Sequence, residues 1–413
     1  MSTLLKVLNI TIAVMATAIA GWAAPVLSAE DGPVKIAVIS EESAPAGASI
    51  SKGARIAAKE INQNGGINGR DLKLIFYDNH SSASDAVRAF QRAVRRDDAD
   101  AVVASYISEV VLALQPWAAR FEVPFIGIGA SSAEIASNIH ENYDKNKYSF
   151  QGYFTAVAEA DAVCAFVNDI LHEKAGMRSA VVMSENAAWT DTLDKEYEKC
   201  LPDAGLEVLD VIEFAPDTTD FTPIYNKIEN LEPDVIITGM AHVGVQPVVQ
   251  WSNREVPIPM AGVSSQASTT TFWSKTSGAA NGVITITTGS PDVPITDKTI
   301  PFADQYKEEN DSLPSYSGYA AYDVIGLLAA AIEQAGSTDA EEIVSALEET
   351  DFVGTQGRIQ FYDKDDTYTH SVKFGKDLVS GVILQWQDGK QVPIWPQDVA
   401  RGELKFPDFV ELP

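Results

Sequence analysis

A chain of 413 residues with 58 acidic against 30 basic residues, and a formal charge of −28 at pH 7, presents a surface that repels nucleic acid and anionic lipid. Its two cysteines, Cys164 and Cys200, are too few and too far apart for a structural zinc site. A disulfide and a pair of buried thiols both stay open for them.

Residues 1–29 have the order of a secretory signal: Lys6, an apolar stretch from Val7 to Ala24, then Val26-Leu27-Ser28-Ala29 with small residues for cleavage before Glu30. The apolar run is short for a membrane span of ~20 residues. No cysteine stands near the cleavage point to carry a lipid, and no later stretch resembles a transmembrane helix. The expected product is free in solution outside the cytoplasm, in the periplasm. What remains after the signal is natural for two lobes of ~100–200 residues each.

Val34–Ile39 reads as a short strand. Residues 47–64 follow as a helix, with apolar positions at Ile50, Ala54, Ala57, Ala58 and Ile61, and Asn64-Gly65-Gly66-Ile67-Asn68-Gly69 breaks it. Residues 72–78 form a second strand, and 84–96 a helix with Ser84 as its cap. Ala101–Ala104 is apolar throughout, as in strands buried on both faces of a parallel sheet. Helix 109–121 and strand 124–128 continue the alternation. The order then returns: strand 180–183, helix 190–203, a strand starting at Gly205, helix 221–231 capped by Asp220, and strand 234–238. Two similarly built, doubly wound α/β lobes follow from this repetition. A helix over 318–335 ended by Gly336, another over 339–349 and strand-like stretches from Val353 to Tyr362 and from Val372 return the chain to the first lobe. The proline-bearing tail from Gln391 to Pro413 is expected to wrap the surface.

Catalytic signatures are missing. There is no Gly-x-Ser-x-Gly elbow and no phosphate-binding Walker loop. Gly127-Ile128-Gly129-Ala130-Ser131-Ser132 lacks the third glycine of a dinucleotide loop. The histidines His80, His140, His172, His242 and His370 show no metal-ligand spacing. No cofactor is called for. The informative residues are serines just past strand ends, where doubly wound sheets bind ligands. Ser108 follows strand 101–104, and Ser131 and Ser132 follow strand 124–128; each precedes a helix. A hydroxyl beside free N–H groups at a helix start can cradle a carboxylate or phosphate. Helix capping alone is the plainer role for a single serine. Two such serines on adjacent strands favour a shared ligand.

Gly53-Ala54-Arg55-Ile56-Ala57-Ala58-Lys59-Glu60-Ile61-Asn62-Gln63-Asn64-Gly65-Gly66-Ile67-Asn68-Gly69-Arg70, with a following strand that ends in Asp78, resembles the periplasmic solute-binding proteins of the branched-chain amino acid ABC-transporter class. Asp220-Phe221-Thr222-Pro223 and Tyr319-Ala320-Ala321-Tyr322-Asp323 extend the likeness, which runs from about residue 34 to about 386. The resemblance implies a type I periplasmic-binding fold, two Rossmann-like α/β lobes joined by a multi-strand hinge that closes like a Venus flytrap. One lobe would comprise residues 30–152 and 289–371, the other 153–288 and 372–413.

The resemblance also implies a site. Ser108 would hold the ligand carboxylate, with Gly129 and Ser131 beside it. Trp189 would close from the second lobe, and Tyr322 would stand in the cleft. Three positions depart from the family pattern. Wall aromatics are replaced by Ala46 and by Ala241, beside His242, and the acid that pairs with a ligand ammonium falls at Ser264. A buried ammonium without an anion is costly, so a carboxylate with a neutral or aromatic remainder becomes an option. Glu109, Glu159 or Glu185 could replace the acid, and Tyr153 and Gln266 are secondary candidates. The resemblance implies a monomeric, non-enzymatic binding protein that serves a membrane permease and its ATPase subunits. A sensory protein for amide- or urea-type solutes and an unfamiliar enzyme using Ser108 or His242 are the alternatives.

Overall fold

The computed structural model describes residues 32–413, so the expected signal segment lies outside the described residues. Pro33 to Pro413 form one compact unit. The first half alternates strand and helix: β1 (Val34–Ser40), α1 (Pro45–Gln63), β2 (Leu72–Asp78), α2 (Ala83–Arg95), β3 (Ala101–Ala104), α3 (Ser108–Phe121), β4 (Phe125–Gly127), α4 (Ala133–Glu141), the single turn α5 (Tyr143–Asn146) and β5 (Ser149–Gln151). The strands make a five-stranded parallel sheet in the order β2-β1-β3-β4-β5. The order in which strands are added reverses between β1 and β3, and this opens a crevice beyond their C-terminal ends.

The chain then crosses to a second sheet through α6 (Ala156–Phe166), β6 (Ser179–Glu185), α7 (Thr190–Asp203), β7 (Glu207–Phe214), α8 (Thr222–Leu231), β8 (Val235–Met240), α9 (Gln246–Asn253) and β9 (Met260–Ser264). Its order, β7-β6-β8-β9, is again parallel. After the turn α10 (Phe272–Lys275) comes β10 (Ile284–Thr287). The Thr285 hydroxyl, which receives the Ser264 N–H at 3.0 Å and donates to the Ser264 carbonyl at 3.2 Å, sets this strand beside β9.

Helices α11 (Thr299–Asn310), α12 (Tyr316–Ala335) and α13 (Ala340–Glu348) and a small hairpin, β11 (Phe352–Val353) with β12 (Arg358–Ile359), follow. Helices α12 and α13, with Val372 and Val379, share a hydrophobic core with the first sheet. Strands β13 (Val382–Gln387) and β14 (Lys390–Trp395) pair with β10 as β10-β13-β14, and Ile383 and Ile394 pack in the core beside the second sheet. The tail therefore does not simply wrap the surface. Its first five residues belong to the edge strand β14, a place where Pro393 costs no outward N–H.

Local chemistry explains several joints. The long run of α1 and α12 is possible because Gly53 lies against Gly318. A Cβ on Gly53 would stand 2.3 Å from the Gly318 carbonyl oxygen. Gly53→Ala should therefore force the helices apart and cost ~1–3 kcal/mol, read as a lower urea midpoint. An unchanged midpoint would mean that the helices shift freely. Buried Asp323 of α12 accepts from the Thr355 and Gln356 N–H groups, at 2.6 and 3.2 Å, and from their side chains at 3.0 and 3.2 Å. Burial nevertheless pushes its carboxyl up to about 6. Gln356 in turn bonds Thr288, so this network anchors the chain where it returns from β10. The two cysteines form a disulfide between α6 and α7.

Candidate functional site: a cleft between two sheets

The C-terminal ends of both parallel sheets face one cleft of about 430 Å³, continuous with solvent and lined by Tyr106, Ser108, Gly129, Ser131, Tyr153, Glu159, Trp189, Ala241, His242, Val263, Ser265, Ser268, Ile286 and Tyr316. Among the described residues no cluster of side chains could hold a metal ion, and no helix is long and apolar enough to cross a membrane.

The first-sheet wall comes from loops after β3 and β4. Ser108 is the first residue of α3, and its hydroxyl receives the Ser132 N–H at 3.2 Å instead of capping its own helix. In this first turn the Val110 N–H bonds the Ile107 carbonyl at 3.1 Å, and the Ser108 and Glu109 N–H groups lie ahead of any intrahelical acceptor. Capping of α4 falls to Ser132, which leaves Ser131 facing the cleft. Gly129 brings bare backbone there. A Cβ on it would sit 3.1 Å from Tyr106 and 3.2 Å from Tyr316.

The opposite wall is organised by Glu185, the last residue of β6 and fully buried. Its carboxylate receives the Trp189 indole N–H at 3.2 Å and the backbone N–H groups of His242 and Val243 at 2.8 and 3.1 Å. It also pairs with His242 Nδ1 at 2.6 Å. Burial works against the charged carboxylate, but His242 and the backbone donors outweigh it and hold its pKa below the usual range. Burial likewise opposes the charged imidazole, and Glu185 overcomes it, so the His242 pKa is raised. His242 Nε2 is buried with no hydrogen-bond partner among the described residues.

The two walls touch. Glu109 Oε1 receives the Ala188 N–H at 2.8 Å, and the Ser132 hydroxyl donates to the Ala188 carbonyl at 3.1 Å. The Tyr106 and His242 rings stack with centroids 6.0 Å apart.

Of the residues singled out from sequence, Ser108, Gly129, Ser131, Trp189, Ala241 and His242 line the cleft, as do Tyr153 and Glu159. Tyr322 lies elsewhere, bonded to Glu60 at 2.5 Å and packed on Phe302. Tyr316 occupies the cleft instead. Six residues separate the two tyrosines, which puts Tyr322 about 9 Å further along the axis and about 120° around the helix. Ala46 is buried in the first core, its carbonyl held by Ser317 at 2.6 Å. Ser264 turns its hydroxyl to the Ala267 N–H at 3.3 Å, and its neighbours Val263 and Ser265 reach the cleft. Gln266 donates to the Ala241 carbonyl at 3.1 Å. Tyr106 was not singled out, although it follows a strand end by the same rule that marks Ser108.

The periplasmic binding protein family model matches residues 33–378. A protein named Leu/Ile/Val-binding protein homolog 7, from Brucella abortus (strain 2308), is 23% identical over 388 residues, covering 90% of this chain and 91% of its own. Among solved structures, the branched-chain amino acid transporter substrate-binding protein LivJ of Streptococcus pneumoniae, in complex with isoleucine, superposes with a TM-score of 0.74 at 22% identity over 87% of this chain and 97% of its own. A solute-binding protein of an ABC transporter from R. palustris, in complex with benzoate, gives 0.73 at 17% identity over 92% and 99%.

Proposed function

The chain belongs to the periplasmic binding protein family, and from that premise we propose that it is the extracytoplasmic substrate-binding component of an ABC transporter, a monomer that captures a small carboxylate-bearing solute by lobe closure. The observation that carries this reading is the meeting of Ser108, at the start of the 14-residue helix α3, with an unpartnered His242 Nε2 across one cleft. Ser108, Ser131 and the first-turn N–H groups offer donors from one lobe. His242, whose pKa is raised by Glu185, offers a donor from the other, cationic when the ring is protonated. The relatives agree in chemistry. Isoleucine and benzoate, bound to two of the similar structures, share only a carboxylate.

In this mechanism the ligand docks on Ser108, Gly129 and Ser131, and the second lobe brings Trp189 and His242 over it. Contacts made by both lobes favour the closed state over the open one. A permease and its ATPase subunits read that state, and the binding protein breaks no covalent bond.

The test is a thermal-shift screen of protein unfolded and refolded to strip carried-over ligand, against branched-chain and aromatic amino acids and the matched acids without the amino group. A bound solute raises the melting temperature by mass action. Ser108→Ala should weaken the responding solute by about 10- to 100-fold, the worth of one hydrogen bond to a charged group, while the free protein melts somewhat lower because the buried Ser132 N–H loses its acceptor. Equal affinity in that variant removes Ser108 from the site. Silence across the panel discards the carboxylate.

A further inference from the structure

The resemblance puts the ammonium-pairing acid at Ser264, whose hydroxyl is spent on a turn. The cleft nevertheless contains an acid, on a different element. Glu159 stands in the first turns of α6, just after the chain crosses from the first sheet to the second, and it is 5% exposed. The Ser131 and Tyr153 hydroxyls bond its carboxyl, while its Oε2 is buried with no hydrogen-bond partner among the described residues.

We infer that Glu159 is the anionic contact for a positively charged nitrogen of the ligand, so that the cleft takes amine-bearing acids in preference to acids without a nitrogen. This rests on the cleft being the solute site, as proposed above, and specifies the solute's second functional group.

The surroundings of Glu159 leave that role open to a ligand. No lysine or arginine lines the cleft. The ionisable groups that face Glu159 are Tyr153 from the crossover, Tyr197 from α7 and Tyr316 from α12, all held neutral by burial and by its charge. Tyr106 and His242 line the same space, but His242 is paired with Glu185. An ionised carboxylate in such a place is costly without a cation, and burial pushes the Glu159 carboxyl up to about 8. A ligand ammonium has three donors and no acceptor. Glu159 Oε2 and the Gly129 carbonyl supply acceptors to the cleft, and Ser108 and His242 supply donors for a carboxylate. One cleft thus offers both an acceptor set and a donor set, as a zwitterion requires. A protonated Glu159 that donates to an uncharged acceptor is the rival, and it has the opposite pH dependence.

The experiment is isothermal titration of stripped protein and of Glu159→Gln with leucine, phenylalanine, 4-methylpentanoate, 3-phenylpropanoate and benzoate, between pH 6 and 9. An amine-bearing acid should bind the wild type best. Relative to Glu159→Gln, its affinity should rise with pH, up to about tenfold per unit below the Glu159 titration, because binding expels the carboxyl proton; loss of the His242 proton opposes the rise and is common to both proteins. Glu159→Gln should weaken it by about 10- to 100-fold, as expected for a lost charge-assisted bond, and flatten the pH profile. The free Glu159→Gln protein should melt higher than wild type at pH 8 to 9, since it has no charge to bury. If a nitrogen-free acid binds best and Glu159→Gln leaves it equal or tighter, the inference fails while the carboxylate site stands. If Glu159→Gln lowers the melting temperature without touching affinity, Glu159 is structural and the inference also fails. Silence from every solute defeats both readings.

Discussion

Glu185→Ala should cost ~3–5 kcal/mol of stability, the usual penalty for removing one member of a buried ion pair, and should weaken the responding solute by about tenfold or more. The side chain removed is fully buried and serves four donors at once: the indole of Trp189, two backbone N–H groups and the His242 ring. Its loss strands those donors in a dry site, each at ~1–3 kcal/mol before relaxation. It also frees Trp189 and His242, which both face the cleft. Glu185 is therefore a positioning residue for the second-lobe wall. The pH dependence identifies the charge. The Glu185 carboxylate has its pKa lowered by folding, so its contribution is present above the ordinary carboxylate value and is lost as pH falls through the folded one. The His242 pKa is raised, so its contribution is complete below the ordinary imidazole value and is lost as pH rises through the folded one. Wild type and variant should thus differ most between about pH 4.5 and 6.5. Urea unfolding across pH 4 to 9 gives the difference, and an NMR titration of the His242 ring in Glu185→Gln should show its pKa falling. A constant difference across that range would mean that the pair is packed but uncharged.

Much of this arrangement is written in local sequence. Ala101–Ala104 and Thr190–Asp203 have the bounds that their apolar run and periodicity dictate. The α2 cap is displaced to Ser82, which accepts from the Asp85 N–H, because Ser82 and Ser84 are equally good capping residues and only the backbone decides between them. Asp220 bonds the Thr222 N–H as a capping residue does, although Phe221 holds the cap position. Strand β14 was hidden by Pro393, since a proline argues against a strand unless the strand is known to be at an edge. In the cleft, Ser108 and Ser131 are legible from strand-end logic, and Trp189 only through the family resemblance. Tyr316 and the Glu185–His242 pair are not, because they depend on helix phase and on the approach of β6 and β8, separations that no window of sequence contains. Glu159 was only one of three interchangeable acids until its unpartnered oxygen set it apart.

Breaking the Cys164–Cys200 disulfide should lower stability by about 4 kcal/mol and leave solute affinity within about threefold. The bond closes a loop with a sequence separation of 36, and the chain-entropy relation for such a loop gives a value of that size. It joins the far ends of two helices whose near ends serve the cleft: Glu159 in the first turns of α6, and Trp189 at the start of α7. Between those ends, Ala160, Val163, Leu193, Tyr197 and Leu201 share one buried cluster. Packing therefore sets the spacing of Glu159 and Trp189 in the folded state, and the covalent bond acts mainly by restricting the unfolded chain. Cys164→Ser with Cys200→Ser, compared with wild type in urea with and without reductant, separates the two effects. The doubly substituted and the reduced protein should unfold at the same lower midpoint and bind the solute alike. If affinity instead falls in step with stability, the disulfide itself holds the cleft geometry. If the midpoint is unmoved, the unfolded chain already keeps α6 and α7 together.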